Sequence, residues 1–116
     1  MKKHEEKYFK SVDSREDELT DLAKKIWEFA ELGFKETKSA KAIADYLEDQ
    51  GFKVQRGVGT VKTAICAEYG TGKPVIAFLG EYDALPDLNQ KVTTKQELLF
   101  PEDPNRAGHG CGHNTL

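Results

Sequence analysis

Apolar residues recur three or four positions apart through residues 14–32, at Leu19, Leu22, Ala23, Ile26, Phe29 and Ala30. That spacing predicts an amphipathic helix. Asp13 with Glu16, or Ser14 with Asp17, would form a capping box at its start, and Gly33 would stop it. A second helix is predicted over residues 38–49, with Ala40, Ile43, Ala44 and Leu47 on one face and Gly51 as terminator. The period then changes to two. Residues 52–58 and 61–69 alternate, and Gly57-Val58-Gly59 lies between them as a turn, so an antiparallel hairpin is expected. After the turn at Tyr69-Gly70-Thr71-Gly72-Lys73-Pro74 comes a continuous apolar run, Val75-Ile76-Ala77-Phe78-Leu79-Gly80. Such a run reads as a strand buried on both faces, in the middle of an α/β sheet. Residues 87–106 are polar and without period, which suggests a surface loop with one helical turn near 96–99.

Composition narrows this picture. At 116 residues the chain is one domain or a piece of one. A chain of this size buries roughly 65% of its unfolded surface, which allows a modest core. Charged residues make up 32% and the net charge is only -3, so the signs are mixed. No basic patch with interleaved aromatics stands out, which argues against a nucleic-acid partner. No apolar run approaches the length of a membrane span. The start, Met1-Lys2-Lys3-His4-Glu5-Glu6, has no apolar stretch and does not read as a leader. Two cysteines, Cys66 and Cys111, make no secreted disulfide framework, so a reduced, cytoplasmic setting is expected.

Two constellations carry candidate chemistry. Gly108-His109-Gly110-Cys111-Gly112-His113-Asn114 offers a thiol and imidazoles, both good ligands for Zn²⁺ and related ions. One intervening glycine allows Cys111 and His113 to turn toward one ion, and the flanking glycines permit close backbone approach. A Cys-x-His pair in a glycine-rich tail also arises by chance, at about even odds here. The second constellation, Glu81-Tyr82-Asp83, follows the apolar run, where open α/β sheets place their ligands. A carboxylate there would bind metal or orient a ligating histidine. Taken alone, a solvated strand end explains it better. Gly70-Thr71-Gly72-Lys73 has the wrong spacing for a phosphate loop, Cys66 reads as a small core residue, and His4 carries no evident role.

Both constellations, in this order, resemble a known family. Ile26-Trp27-Glu28-Phe29-Ala30-Glu31-Leu32-Gly33-Phe34, Gly51-Phe52-Lys53-Val54, Phe78-Leu79-Gly80-Glu81-Tyr82-Asp83-Ala84-Leu85-Pro86 and Gly108 to Asn114 are similar to the N-terminal part of the aminoacylase-like metallopeptidases and amidohydrolases. The likeness is strongest to the branch that holds the indole-acetyl-amino-acid hydrolases and the p-aminobenzoyl-glutamate hydrolases. It runs from about Asp17 onward. The resemblance implies an α/β fold: residues 1–116 would be the N-terminal portion of a mixed-sheet catalytic domain, with two helices, a hairpin and a buried central strand. The lid domain and C-terminal half would be absent.

It further implies a two-metal site, zinc or manganese. Cys111 and His113 would be ligands, and Asp83 the supporting acid. Glu81 stands where many relatives place a ligand histidine, and Asn114 where many place Asp. The general-base Glu would lie beyond this chain. The implied activity is metal-dependent hydrolysis of amide bonds in N-acyl or N-aroyl amino acids or small peptides, and the isolated fragment would be inactive. The partner would be a small amide substrate, with no nucleic acid or membrane, and a full-length parent would be a dimer or other homo-oligomer. The alternative is a small non-catalytic module that binds metal through His109, Cys111 and His113, or docks another protein on its helices.

Overall fold

The structure is a computed structural model and describes residues 3–116. Met1 and Lys2, which begin the segment read as no leader, lie outside the described residues. Three helices come first: α1 (Lys3–Asp13), α2 (Glu16–Phe29) and α3 (Thr37–Asp49). Two antiparallel strands follow, β1 (Lys53–Val58) and β2 (Val61–Glu68), and a single 3-10 turn, His113–Thr115, closes the chain. The result is a mixture of helices with a two-stranded sheet, and among the described residues no further strand joins that sheet.

The helical stripe read from the sequence is α2, but its ends differ from expectation. Arg15 occupies the N-cap and makes no capping side-chain bond, so neither proposed capping box forms. Glu16, Asp17 and Glu18 crowd the first turn instead, where the helix dipole favours negative charge. The helix stops at Ala30, which turns left-handed (φ 44°), three residues before Gly33. α1 was not foreseen. It buries no residue, and Tyr8, Phe9 and Val12 are exposed, so the sequence there carries no core-facing stripe to read.

α3 begins one residue earlier than predicted and ends as expected at Gly51. Gly51 and Phe52 donate back to Glu48 and Leu47, the paired bonds of a Schellman motif. α3 has no cap of its own at its start. The Glu31 carboxylate, reaching in from the α2–α3 connection, accepts from Lys38 N–H (2.9 Å), Ser39 N–H (2.8 Å) and Ser39 Oγ (2.8 Å). It thereby satisfies orphan donors of the first turn from outside the helix.

The hairpin pairs Lys53 with Glu68 through Arg56 with Ile65, then Val58 with Val61. The register breaks between Arg56 and Val58, so Gly57 lies at a bulge and the loop is Gly59-Thr60 rather than Gly57-Val58-Gly59. Cys66 is exposed on this ribbon and is not a core residue. α3 packs on both strands and α2 packs on α3. Among the described residues the buried apolar ones are Ile26, Ala44 and Ala84.

The central strand is the main correction. Residues 75–79 form no strand, and their side chains are out in solvent: Val75 is 84%, Ile76 73%, Phe78 94% and Leu79 95% exposed. A strand buried on both faces needs neighbours that take its N–H and C=O groups and layers that cover its sides. Among the described residues neither is present. The expected helical turn at 96–99 is also irregular chain. The loop around it is held by Asn89, whose side chain donates to Phe100 and Asp103 carbonyls and accepts from Phe100 N–H.

Candidate metal centre

Since residues 75–80 form no strand to deliver them, Glu81 and Asp83 are positioned by short backbone contacts. Ala84 N–H donates to the Glu31 carbonyl at 2.7 Å, and Leu32 and Ala84 form a parallel bridge. On the other side Leu85 and Gly108 exchange both backbone bonds, at 3.1 and 3.0 Å. Residues 81–85 therefore lie between the end of α2 and the glycine-rich segment. The Tyr82 hydroxyl donates to the Thr63 carbonyl and ties the segment to β2. Burial, with Glu36 and Glu31 nearby, raises the Tyr82 pKa and keeps the phenol neutral.

The glycine-rich segment is pinned at both ends to α2. His109 is buried and its Nε2 lies 3.1 Å from the Ile26 carbonyl. Asn114 donates to the Ala23 carbonyl at 3.2 Å. A carbonyl only accepts, so Nε2 of His109 carries the proton. Its Nδ1 is buried without a partner. Burial lowers the pKa of His109, so the ring is held neutral. Two glycines make this course possible. A Cβ on Gly108 would meet the Leu88 carbonyl oxygen at 2.0 Å, and Gly112 has φ 79°. The expected close approach and positive φ thus both occur, at different positions of the motif.

Between these anchors His113 meets the acidic pair. Its Nδ1 lies 2.8 Å from Asp83 Oδ1 and 3.1 Å from the Asp83 carbonyl. Both are acceptors, so Nδ1 is the protonated nitrogen of the neutral ring and Nε2 carries the lone pair. That Nε2 lies 3.4 Å from Glu81 Oε2. Ligand atoms of Glu81, Asp83 and His113 all fall within 4.8 Å of one another. Asp83 is the principal cause of a raised His113 pKa, with Glu81 adding to it. A cation and a second proton on His113 compete for the same position between Nε2 and Glu81.

Two carboxylates and an imidazole nitrogen suit a divalent ion such as zinc or manganese by donor type. A histidine whose other nitrogen donates to a carboxylate is the usual oriented form of a metal ligand. The structure brings together Glu81, Asp83 and His113. Cys111 is exposed, and its sulfur falls outside that group. Sequence reasoning did not single out Glu31 or Glu36. Glu36 is buried, accepting from Thr63 Oγ1 at 2.8 Å. The one available signal was an acidic residue just ahead of a helix that lacks a capping side chain.

Known proteins bear on this arrangement. The chain is 44% identical over 91% of its length to the B subunit of p-aminobenzoyl-glutamate hydrolase from Escherichia coli, covering 22% of that protein. It is 33% identical over 95% of its length to thermostable carboxypeptidase 1 of Saccharolobus solfataricus, covering 27%. It is 30% identical over 83% to N-acetylcysteine deacetylase of Bacillus subtilis, covering 24%. The chain thus spans about a quarter of the length of these curated relatives. No family model matches it, and no solved structure matches it significantly. These relatives are named as a hydrolase, a carboxypeptidase and a deacetylase. Over most of its length the chain is thus homologous to proteins named as amidohydrolases and peptidases.

Proposed function

We propose that this chain supplies one half of the metal centre of an amidohydrolase that acts on N-acyl or N-aroyl amino acids, of the p-aminobenzoyl-glutamate type, or on small peptides. One observation carries the reading: His113 is held by Asp83 at 2.8 Å with its other ring nitrogen 3.4 Å from Glu81. Identity of 44% to a p-aminobenzoyl-glutamate hydrolase favours aroyl-glutamate among the substrates.

Glu81 and His113 would hold the ion, Cys111 would join when its loop turns inward, and Asp83 would keep His113 in its ligating tautomer. When bound, a divalent ion polarises an amide carbonyl and acidifies water. The chain's own residues orient the imidazole, fix its proton on the nitrogen away from the ion and anchor both flanks of the loop to α2. The general base and the remaining ligands belong to sequence outside these 116 residues, as does a lid. Residues 1–116 are then the N-terminal portion of the catalytic domain of a cytoplasmic, homo-oligomeric enzyme. Among the described residues no helix is long and apolar enough to cross a membrane.

Calorimetric titration of the 116-residue chain with Zn²⁺ and with Mn²⁺ tests the reading. One ion should bind in the wild type, and His113→Ala should abolish that binding. Unchanged binding in His113→Ala, or none in the wild type, would overturn it. Without the missing base the isolated chain should not hydrolyse p-aminobenzoyl-glutamate.

A further inference from the structure

Tyr82 stands between the two acids of the metal centre and reaches away from both. Glu81 and Asp83 meet His113, at 3.4 and 2.8 Å, whereas the Tyr82 hydroxyl donates to the Thr63 carbonyl on β2. Side chains alternate in direction along an extended chain, so an anchor at one position fixes the facing of the positions on either side. Tyr82 is half-buried, and Thr63 and Glu36 behind it are buried, so the anchor lies within the chain's own packing.

The hairpin is shaped to receive that hydroxyl. Arg56 pairs with Ile65 and Val58 with Val61, so residues 62–64 of β2 lie opposite Gly57 alone. A bulge of this kind takes residues out of the ladder and re-aims them. Thr63 sits at its centre, with its carbonyl on Tyr82 and its Oγ1 donating to Glu36 at 2.8 Å. Glu36 is in turn the N-cap residue of α3. Bulge, helix start and acidic segment thus meet at one threonine.

The two acids need this support unequally. Asp83 meets His113 Nδ1 through both its carboxylate and its carbonyl, and Ala84 beside it is bonded to Glu31. The Glu81 side chain is 62% exposed, and among the described residues its one polar contact is His113 Nε2. We propose that Tyr82 is a positioning residue for the metal centre: anchored on the Thr63 carbonyl, it holds Glu81 beside Nε2 of His113. The inference rests on the reading that Glu81 and His113 hold the ion. Tyr82 itself touches no ion and acts only through Glu81.

Zn²⁺ affinity, measured on the purified chain by competition with a chromophoric chelator, tests this through a double-mutant cycle. Tyr82→Phe keeps the ring and removes the hydroxyl; it should weaken binding about tenfold, as loss of a group that orients a ligand does. Glu81→Gln should weaken binding too, and adding Tyr82→Phe to it should change nothing more, because the two act as one unit. A merely structural tyrosine would add its own loss in both backgrounds. Tyr46→Phe, which removes a hydroxyl bond to Glu18 on the helices, should bind as the wild type does. A wild type that binds no Zn²⁺, or binds it equally well as His113→Ala, overturns the reading of the site and this inference with it. A wild type that binds through His113, with Tyr82→Phe equally tight, additive with Glu81→Gln, or unfolded by circular dichroism, overturns the inference alone. Equal weakening in Tyr46→Phe does the same.

Discussion

His113 and His109 sit four residues apart in one loop, yet their surroundings push them in opposite directions. Asp83 raises the pKa of His113, whereas burial lowers that of His109. An NMR titration should therefore show His113 losing its proton at higher pH than His109. The two rings also act oppositely on stability. The His113–Asp83 interaction contributes stability fully below the unfolded histidine pKa, and that contribution is lost as pH rises through the raised folded value. Neutral His109 acts the other way: acid that charges histidine in the unfolded chain works against the fold. A metal ion must displace the His113 proton, so its affinity should fall as pH drops through the raised pKa. Asp83→Asn should weaken metal binding about 10- to 100-fold, read by competition with a chromophoric chelator. Backbone crowding governs Gly108 instead. Its missing Cβ is the space taken by the Leu88 carbonyl, so Gly108→Ala should cost about 1–3 kcal/mol in urea unfolding.

At the scale of elements, a contact distant from the helix decides how α3 begins. Glu31 replaces the cap that the helix lacks in its own sequence. Burial alone would raise the Glu31 pKa, but the bonds from Lys38, Ser39 and Thr37 outweigh it and the net shift is downward. Glu31→Ala should then cost about 1–2 kcal/mol at neutral pH, as the loss of a good cap does. That difference should vanish in acid. A depressed carboxylate contributes fully above its unfolded pKa and nothing once pH has fallen through the folded one. Urea midpoints of both proteins at neutral and acid pH give the comparison. The exposed ion pairs of Arg56 with Asp45 and Glu48 add little, since solvent screens them.

Across the whole molecule the chain is extended, with a radius of gyration of 16.6 Å against about 13 Å for a compact chain of similar length. Among the described residues Ile26, Ala44 and Ala84 are the apolar ones that reach full burial, so each matters more than in a larger core. Ile26→Ala should cost about 2–5 kcal/mol, enough to unfold much of the population at 25 °C, as thermal melts followed by circular dichroism would show. The apolar surface left at residues 75–79 is the counterpart of that small core.

Local periodicity determined α2, α3, the hairpin and the terminator at Gly51, because each depends on neighbours within a few residues. The paired motifs likewise marked Glu81, Asp83 and His113, since side-chain chemistry is written at the position itself. Tertiary structure decided the rest. Whether an apolar run becomes a buried strand depends on neighbours to receive its backbone groups, and residues 75–79 have none among the described residues. Which acid caps α3, which carbonyls anchor His109 and Asn114, and which side of His113 is free depend on contacts up to 91 positions apart. No spacing rule along the chain encodes such contacts, because they arise only when distant backbone oxygens are brought within hydrogen-bond reach.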